Sequence, residues 1–336
     1  MASLLTNSSA SCLSGDTLRP GRYAAIDIGT VTCRMLIADI DKEGGLHELR
    51  REYAITNLGE GVDATGMLKP EAMRRVVDVV ARYQDILHVE TPAGEGSITV
   101  VAMATSASRD AKNAAEFVGM LADLGVALTV IPGEREAGLS FSGASCDFVG
   151  EELLVIDVGG GSTEIIAGQG GGSPVRAHSF NIGCRRVTEK FLSSDPPSAD
   201  ELSRARTWIE EGMRPFFDDL RAAGFAPQRL VAVAGTATSV VSVRERMETY
   251  DTARVHKATV ARAALDQVYG QLSALPLAER RHVVGLDPGR APVMVAGLVI
   301  LQVVLDLAGA DSFTVSESDI LHGIILHAAA SFPAVS

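Results

Sequence analysis

The sequence has few residues of the kinds that build metal centres and disulfide frameworks. Its four cysteines are far apart and form no CxxC pair, which argues against a zinc site or a disulfide framework and fits a reducing cytoplasm. They are Cys12, Cys33, Cys146 and Cys184. The seven histidines show neither HxH nor HxxxH spacing, so a metal centre built from histidines is not expected.

Long apolar runs, a basic leader and an excess of positive charge are also missing. No uninterrupted apolar run reaches the ~18 residues of a membrane span, and the very apolar segment Arg290 to Leu307 is predicted to be a core helix. The first 20 residues lack the basic start and apolar centre of a leader peptide, and residues 1–21 are expected to form a disordered tail. The net charge of −12 argues against binding to a nucleic-acid polymer.

The most informative segment spans residues 153–166 and has a strand–turn–strand pattern. Four apolar residues lead into an aspartate, three glycines follow, and a second β-branched run begins after a glutamate. Because glycine lacks a Cβ, the backbone can approach a ligand and turn several N–H groups toward one anion. Acids and hydroxyls bracket the glycines, which favours a metal–phosphate site over a hairpin whose glycines serve geometry alone. The residues concerned are Asp157, Gly159, Gly160, Gly161, Ser162, Thr163 and Glu164.

Residues 23–39 repeat this pattern. An apolar strand leads into Asp27, and Gly29, Thr30 and Thr32 precede a second strand. Such a repeat predicts two similar domains, which suits a chain of 336 residues. If the halves face each other, their turns converge on one cleft. Other segments alternate between strands and helices, which predicts an α/β architecture with mixed sheets.

Two further segments carry candidate polar residues. Glu134 and Glu136 fall in the first turn of a predicted helix, where acids favour the helix dipole; the functional alternative is that one of them is a base in the cleft. Gly235 and Thr236 follow a buried strand in a turn that either binds phosphate or simply joins a strand to a helix.

Taken together, these segments resemble the exopolyphosphatase / guanosine pentaphosphate phosphatase (Ppx/GppA) family over roughly residues 22–330. The resemblance implies two RNase H-like domains of the actin-like superfold, with mixed sheets flanked by helices and the active-site cleft between them. The motifs that carry it are Ala25-Ile26-Asp27-Ile28-Gly29-Thr30, Ala104-Thr105-Ser106-Ala107 with Arg109, Ile131-Pro132-Gly133-Glu134-Arg135-Glu136-Ala137, Ile156-Asp157-Val158-Gly159-Gly160-Gly161-Ser162-Thr163-Glu164, Ala234-Gly235-Thr236, Arg290-Ala291-Pro292-Val293 and Ser316 to Gly323.

The resemblance also implies roles for individual residues. Glu136 is expected to be the catalytic base, and Asp157 and Glu164 are expected to assist catalysis and, with Asp27, to hold Mg²⁺, with Mn²⁺ as an alternative metal. Phosphate contacts are expected from Gly29, Thr30, Thr32, Arg34, Arg109, Gly159, Gly160, Gly161, Ser162, Thr163, Gly235 and Thr236. Basic residues at Arg185 to Lys190, Arg254 to Lys257 and Arg280-Arg281 are expected to follow the rest of a polyanion.

The function implied is that of an exopolyphosphatase, acting preferentially on short chains because the chain matches the short, two-domain form of the family. The alternatives are a phosphatase for guanosine pentaphosphate (pppGpp) and a non-catalytic sensor of polyphosphate or an alarmone. A homodimer without a membrane or nucleic-acid partner is expected in the cytoplasm. Val31 stands where the family usually has asparagine, which predicts a weaker phosphate contact there.

Domain I is predicted to span residues 22–132 plus roughly 311–330, with the C-terminal helix packing back against it. Domain II is predicted to span residues 133–310 and to contain the second hairpin.

Overall fold

A computed structural model describes residues 18–91 and 97–331. The first sheet has five strands in the order β3-β2-β1-β4-β5. These strands are β1 Gly21–Ile28, β2 Thr32–Ile40, β3 Leu46–Ile55, β4 Thr99–Ala104 and β5 Leu128–Val130. Strand β1 pairs antiparallel with β2 and parallel with β4, so the sheet is mixed.

The second sheet has six strands in the order β10-β11-β9-β6-β7-β8. They are β6 Glu152–Val158, β7 Thr163–Gln169, β8 Pro174–Phe180, β9 Arg229–Val233, β10 Thr259–Ala261 and β11 Ser312–Val315. Strand β6 pairs antiparallel with β7 and parallel with β9, which repeats the arrangement around β1. Both sheets carry helices, and the predicted α/β class with two mixed sheets is confirmed.

The helices within the described residues flank these sheets. Those that follow strands of the first sheet are α1 Val62–Thr65, α2 Pro70–Glu90, α3 Ser106–Asp110, α4 Ala114–Ala122 and α5 Gly133–Ser145. A short 3₁₀ helix, Cys146–Phe148, extends α5. The remaining helices are α6 Cys184–Phe191, α7 Ala199–Ala222, α8 Ala234–Arg244, α9 Thr252–Val255, α10 Arg262–Ser273, α11 Leu277–Arg280, α12 Ala291–Ala308 and α13 Ile320–Ser331.

The last part of the chain crosses from one sheet to the other. The sequence predicts that residues from about 311 onward belong to the first domain. Strand β11 instead pairs with β9 in the second sheet, so the segment from about residue 311 to Val315 lies with the second domain. Helix α13 then packs against β1 and against α5, where its apolar residues share a core with Tyr23 and Leu36 of the first sheet. The boundary therefore falls between β11 and α13.

Three local predictions differ from the structure. The sequence predicts a helix over Thr259 to Leu275, but residues 259–261 form β10, because their backbone pairs with β11. The segment 235–239 was expected to be a turn but is the first part of α8. Residues 1–17 of the predicted tail lie outside the described residues, whereas Leu18 is buried against the first domain and Gly21 begins β1.

The expectations about cysteines and about the apolar segment have different outcomes. Cys33 and Cys184 are free and buried, but Cys146 is disulfide-bonded, contrary to the expectation. Among the described helices, α12 is long and apolar enough to cross a membrane by composition, with a mean hydropathy of 2.2, yet 83% of it is buried. It packs against α6, α7 and α10 in the hydrophobic core of the second domain.

Helices α5 and α13 approach each other at two glycines. A Cβ on Gly143 would lie 1.9 Å from the carbonyl oxygen of Asp319, and a Cβ on Gly323 would lie 1.9 Å from that of Leu139. Both obstacles are backbone atoms, so no side-chain rotation can relieve them. The helix that closes the first domain is therefore held at a distance that only glycine permits.

We predict that Gly143→Ala lowers the free energy of unfolding by about 2 kcal/mol or more, because the added methyl group must push the helices apart. Gly138→Ala is the matched control in the same helix, since nothing lies within 4 Å of a Cβ there. It should be neutral or stabilising by up to ~1 kcal/mol. Denaturant unfolding of both variants measures the difference, and equal effects would contradict the role assigned to the close approach.

Candidate active site

The two hairpins have the same register. Asp27 lies opposite Arg34 across β1 and β2, and Asp157 lies opposite Glu164 across β6 and β7. Each turn closes in the same way, with Gly29 N donating to Thr32 O (2.8 Å) and Gly159 N donating to Ser162 O (3.0 Å). The first turn (Gly29–Thr32) and the second turn (Gly159–Ser162) both line one cleft of about 580 Å³ between the domains.

The two turns touch at the floor of this cleft. A Cβ on Gly160 would lie 2.6 Å from Cγ2 of Val31 and 2.8 Å from Cβ of Thr30. A Cβ on Gly161 would lie 2.4 Å from the hydroxyl of Ser106. These glycines are therefore required by the approach of the other domain.

Val31 has a structural role at this contact. It is only 4% exposed and belongs to the core cluster of the second domain. Its carbonyl accepts hydrogen bonds from the amides of Thr56 and Asn57. An asparagine here would bury an amide in an apolar contact, which is unfavourable. Valine lacks the side-chain donor of asparagine but packs its methyl group against Gly160 of the second turn.

Backbone hydrogen bonds fix the direction of the peptides in the second turn. The carbonyl of Gly159 accepts from Cys184 N, that of Gly160 from Arg185 N, both at 2.9 Å at the start of α6, and that of Gly161 from Arg186 Nε at 2.9 Å. A trans peptide directs its N–H opposite to its C=O. The N–H groups of Gly160, Gly161 and Ser162 therefore point away from α6, and they have no acceptor among the described residues. Such a row of free amides suits a phosphate.

Helix α5 brings Glu136 to the cleft beside Arg109. The carboxylate is 8% exposed and accepts from Arg109 Nη1 at 3.0 Å. The same nitrogen donates to Ile131 O at 2.9 Å. Burial raises the pKa of Glu136 to about 8, opposed by Arg109 and assisted by the charges of Asp157 and Asp27. Arg109 holds Glu136 in this structure and is not part of the cleft lining, and its expected contact with substrate phosphates stays a prediction.

Asp27 and Asp157 each have one carboxylate oxygen held and one free. Arg34 donates to Oδ2 of Asp27 through Nη2 at 2.6 Å, and Ser140 Oγ donates to Oδ2 of Asp157 at 2.7 Å. The Oδ1 atom of neither aspartate accepts a hydrogen bond from the described residues. Burial raises the pKa of Asp157 to about 6, opposed by Ser140 and Arg34, and burial likewise raises the pKa of Asp27, opposed by Arg34.

Arg34 lines the cleft as expected but is shared between carboxylates. Its other guanidinium nitrogen bonds Asp319, which is buried just before α13. Burial alone would lower the pKa of Arg34, but Asp319 and Asp27 outweigh it and raise the pKa. Its positive charge is thus already balanced.

Glu164 is more deeply buried than its expected role as a metal ligand requires. It is 1% exposed, lies outside the cleft lining and accepts from Ser179 Oγ at 2.6 Å. Burial, with the charges of Glu136 and Asp157, raises its pKa well above the ordinary range. No group of three or more histidine, cysteine, aspartate or glutamate side chains is placed to hold a metal within residues 18–91 and 97–331. The predicted trio of Asp27, Asp157 and Glu164 is therefore not assembled as a ligand set.

The expected phosphate contacts are partly brought together. Gly29, Thr30, Thr32, Gly159, Gly160, Gly161, Ser162 and Gly235 line the cleft. Thr163 and Thr236 do not, because their buried hydroxyls donate to the carbonyls of Ile182 and Val158. Hydroxyls in these positions stabilise the second domain and cannot also bind phosphate.

The basic segments expected to follow a polyanion are largely occupied. Arg185 bonds Asn57 and Glu189, Arg254 pairs with Glu245, and Lys257 pairs with Asp147. Arg280 is 3% exposed and donates to the carbonyls of Leu272 and Leu275 at the end of α10 and of Ala291 at the start of α12. These side chains are therefore paired within the part of the chain that the structure describes, and the polyanion track stays a prediction.

Sequence reasoning missed several residues of the cleft. Arg290 lines it with its guanidinium against Gly235 and without a hydrogen bond or an ion pair to any described residue. Tyr53 donates to Asp287, and Arg51 donates to the carbonyl of Glu317. These two hydrogen bonds join the first sheet to residues that follow the second hairpin. The sequence could have indicated Ser140, because it lies one helical turn after Glu136 in α5. Arg290 was predicted only as the start of a helix and as part of a family motif.

The comparisons with known proteins agree with this geometry. The Ppx/GppA phosphatase family matches residues 36–332. A relative from Mycobacterium tuberculosis named exopolyphosphatase 2 is 39% identical over 324 residues, covering 91% of this chain and 98% of the relative. The structure of an exopolyphosphatase from Cytophaga hutchinsonii is 26% identical with a TM-score of 0.83, covering 94% of this chain and 100% of that one. A Ppx/GppA family member from Aquifex aeolicus is 27% identical with a TM-score of 0.75, covering 92% and 97%.

The buried acids predict that stability falls as the pH rises. The pKa values of Asp157 and Glu136, about 6 and about 8 in the folded protein, exceed those of the unfolded chain, so the folded state holds more protons between pH ~5 and ~8. Each group contributes at most about 1.4 kcal/mol per pH unit. Glu136→Gln should reduce the slope of the free energy of unfolding against pH in the range below about pH 8, measured by denaturant unfolding without divalent metal. Glu134→Gln, an exposed change in the same helical turn, should leave it intact; an unchanged slope in Glu136→Gln would contradict the assignment.

Proposed function

The chain belongs to the Ppx/GppA phosphatase family, and we propose from this premise that it is an exopolyphosphatase that releases the terminal phosphate of short polyphosphate chains. Phosphoryl transfer needs positioning, charge neutralisation and an oriented nucleophile. The observation that carries the proposal is the pair of touching turns with free amides beside a buried carboxylate held by an arginine.

The chain's own residues supply the steps of hydrolysis. Amides of the second turn bind oxygens of the terminal phosphate, and Arg290 is a cation of the cleft lining without a hydrogen bond or ion pair to a described residue. Glu136, held by Arg109, accepts a proton from the attacking water. The water oxygen bonds to phosphorus, the bridging P–O bond breaks, and orthophosphate and a chain shorter by one phosphate leave.

Mg²⁺, or alternatively Mn²⁺, fits the two aspartates of the hairpins. Mg²⁺ is commonly held by one or two carboxylates together with substrate phosphates and water. The free Oδ1 atoms of Asp27 and Asp157 would hold it, whereas Glu164 is too buried to join them. When bound, the metal supplies positive charge next to the phosphate oxygens.

A second candidate substrate is pppGpp. The outer half of the cleft carries Tyr53, Tyr250, Ser239 and Ser242, with the carboxylates of Glu248 and Glu317 nearby. Aromatic rings, hydroxyls and carboxylates suit a nucleoside with N–H donors better than the tail of a polyanion. A non-catalytic sensor remains the alternative from another class. A homodimer and a cytoplasmic location also stay predictions.

The role of Glu136 predicts that Glu136→Gln lowers kcat by 10²- to 10⁴-fold on short polyphosphate, as expected for loss of a general base, with KM changed little. Orthophosphate release measures turnover, and calorimetry of the inactive variant measures binding. Glu134→Gln is the control because it lies in the same turn but is exposed. Binding without turnover in the wild type would favour the sensor. Full activity of Glu136→Gln would exclude this base.

Metal removal supplies an independent prediction. Chelation should abolish release of orthophosphate, and Asp27→Asn and Asp157→Asn should each raise the Mg²⁺ concentration needed for half-maximal rate by tenfold or more, because each loses a hard anionic ligand. Asp200→Asn, on the exposed face of α7, should have no effect. Parallel assays on short polyphosphate, long polyphosphate, pppGpp and ATP decide the substrate, and full activity in a chelator would contradict the metal proposal.

A further inference from the structure

Arg186 joins the second turn to the first domain through one guanidinium group. Its Nε donates to Gly161 O at 2.9 Å, Nη1 pairs with Asp63, and Nη2 pairs with Asp110 at 2.5 Å. The side chain is 17% exposed. Asp63 lies in α1 and Asp110 ends α3, so both carboxylates belong to the other domain.

The contact with Gly161 completes the set of bonds that orients the second turn. The backbone amides of α6 hold the carbonyls of Gly159 and Gly160, but no backbone amide of residues 18–91 or 97–331 donates to the carbonyl of Gly161. That role falls to Nε of Arg186, which therefore determines where the N–H of Ser162 points. Because this N–H faces the cleft, the arginine acts on the phosphate site without touching it.

The contact with Asp110 reaches the other side of the site. Asp110 follows Arg109, the partner of Glu136, and also accepts from Ser106 Oγ at 3.4 Å. Ser106 lines the cleft and lies directly against Gly161. One guanidinium therefore fixes both the turn that binds phosphate and the short helix that presents the partner of the base.

We propose that Arg186 is a positioning residue that couples closure of the two domains to the orientation of the second turn. When the domains close, Asp63 and Asp110 fix the guanidinium of Arg186. Its Nε then holds the Gly161 carbonyl away from the cleft. The planar fork of arginine can serve three acceptors in one plane, whereas a lysine ammonium on a flexible stem cannot reproduce that geometry. The inference rests on the proposed function only for its choice of substrate.

The test compares Arg186→Gln and Arg186→Lys with Arg204→Gln as the control. Arg204 forms an exposed pair with Asp200 on α7, so its loss removes an arginine of the same domain without touching the turn. We expect both Arg186 variants to raise KM for short polyphosphate about tenfold and to weaken orthophosphate binding in calorimetry by a similar factor, with a smaller change in kcat. The control should match the wild type in all three quantities.

A contribution to stability alone would give a different result. In that case the Arg186 variants would lower Tm but leave KM and orthophosphate affinity unchanged, which would overturn the proposal. Full recovery by Arg186→Lys would also overturn it, because charge and not geometry would then suffice. If Arg186→Gln does not fold, Asp110→Asn carries the test, since it weakens one of the two interdomain contacts of Arg186 and keeps Nε on Gly161; a KM equal to that of the wild type would count against the coupling.

A double substitution checks that the two contacts act as one unit. Arg186→Gln combined with Asp110→Asn should be no worse than Arg186→Gln alone, whereas independent, multiplicative effects would contradict coupling. If the wild type does not turn over polyphosphate, the proposed function fails, but the orthophosphate titrations still decide the role of Arg186.

Discussion

The contact between the two turns sets the geometry of the whole cleft. Thr30 and Val31 of one domain rest on Gly160 and Gly161 of the other with no room for a Cβ. The turns are therefore in direct contact, and both line the cleft. The two hairpins share one register, which places Asp27 and Asp157 at equivalent positions next to their turns.

The floor of the cleft holds more negative than positive charge. Asp27, Asp157 and Glu136 are buried there, with Glu164 buried behind the cleft lining, while Arg34 is bonded to Asp27 and Arg109 to Glu136. Hydroxyls of Ser140 and Ser179 stabilise two of the acids without neutralising them. Burial disfavours the charged forms of Glu136 and Asp157 and so raises the pKa of both.

Structural elements that depend on local sequence pattern could be predicted from the sequence. The repeat of aspartate, glycine and hydroxyl residues was sufficient to predict two hairpins, and the apolar periodicity was sufficient for most helices. Properties that depend on packing could not be predicted. Nothing local distinguishes the hydroxyl of Ser162, which lines the cleft, from that of Thr163, which is buried against Ile182.

Charged residues illustrate the same limit. Arg185, Arg186 and Arg280 look alike in sequence, yet two bind across the domain interface and the third caps carbonyls in a core. Their partners lie far away along the chain, so no motif announces them. Strand β10 was missed for a similar reason, because three residues become a strand only where β11 is available to pair with them.

The path of the chain's last segment has a consequence for synthesis. One face of the first sheet, with Tyr23, Ala25 and Leu36, is covered by Ile324, Ile325 and other residues of α13, which are made only after the described strands of both sheets. Domains generally fold in order as they leave the ribosome. Here the domain made first cannot bury that face until the second has been translated in full. The nascent protein therefore carries a partly uncovered apolar sheet face until α13 has been made.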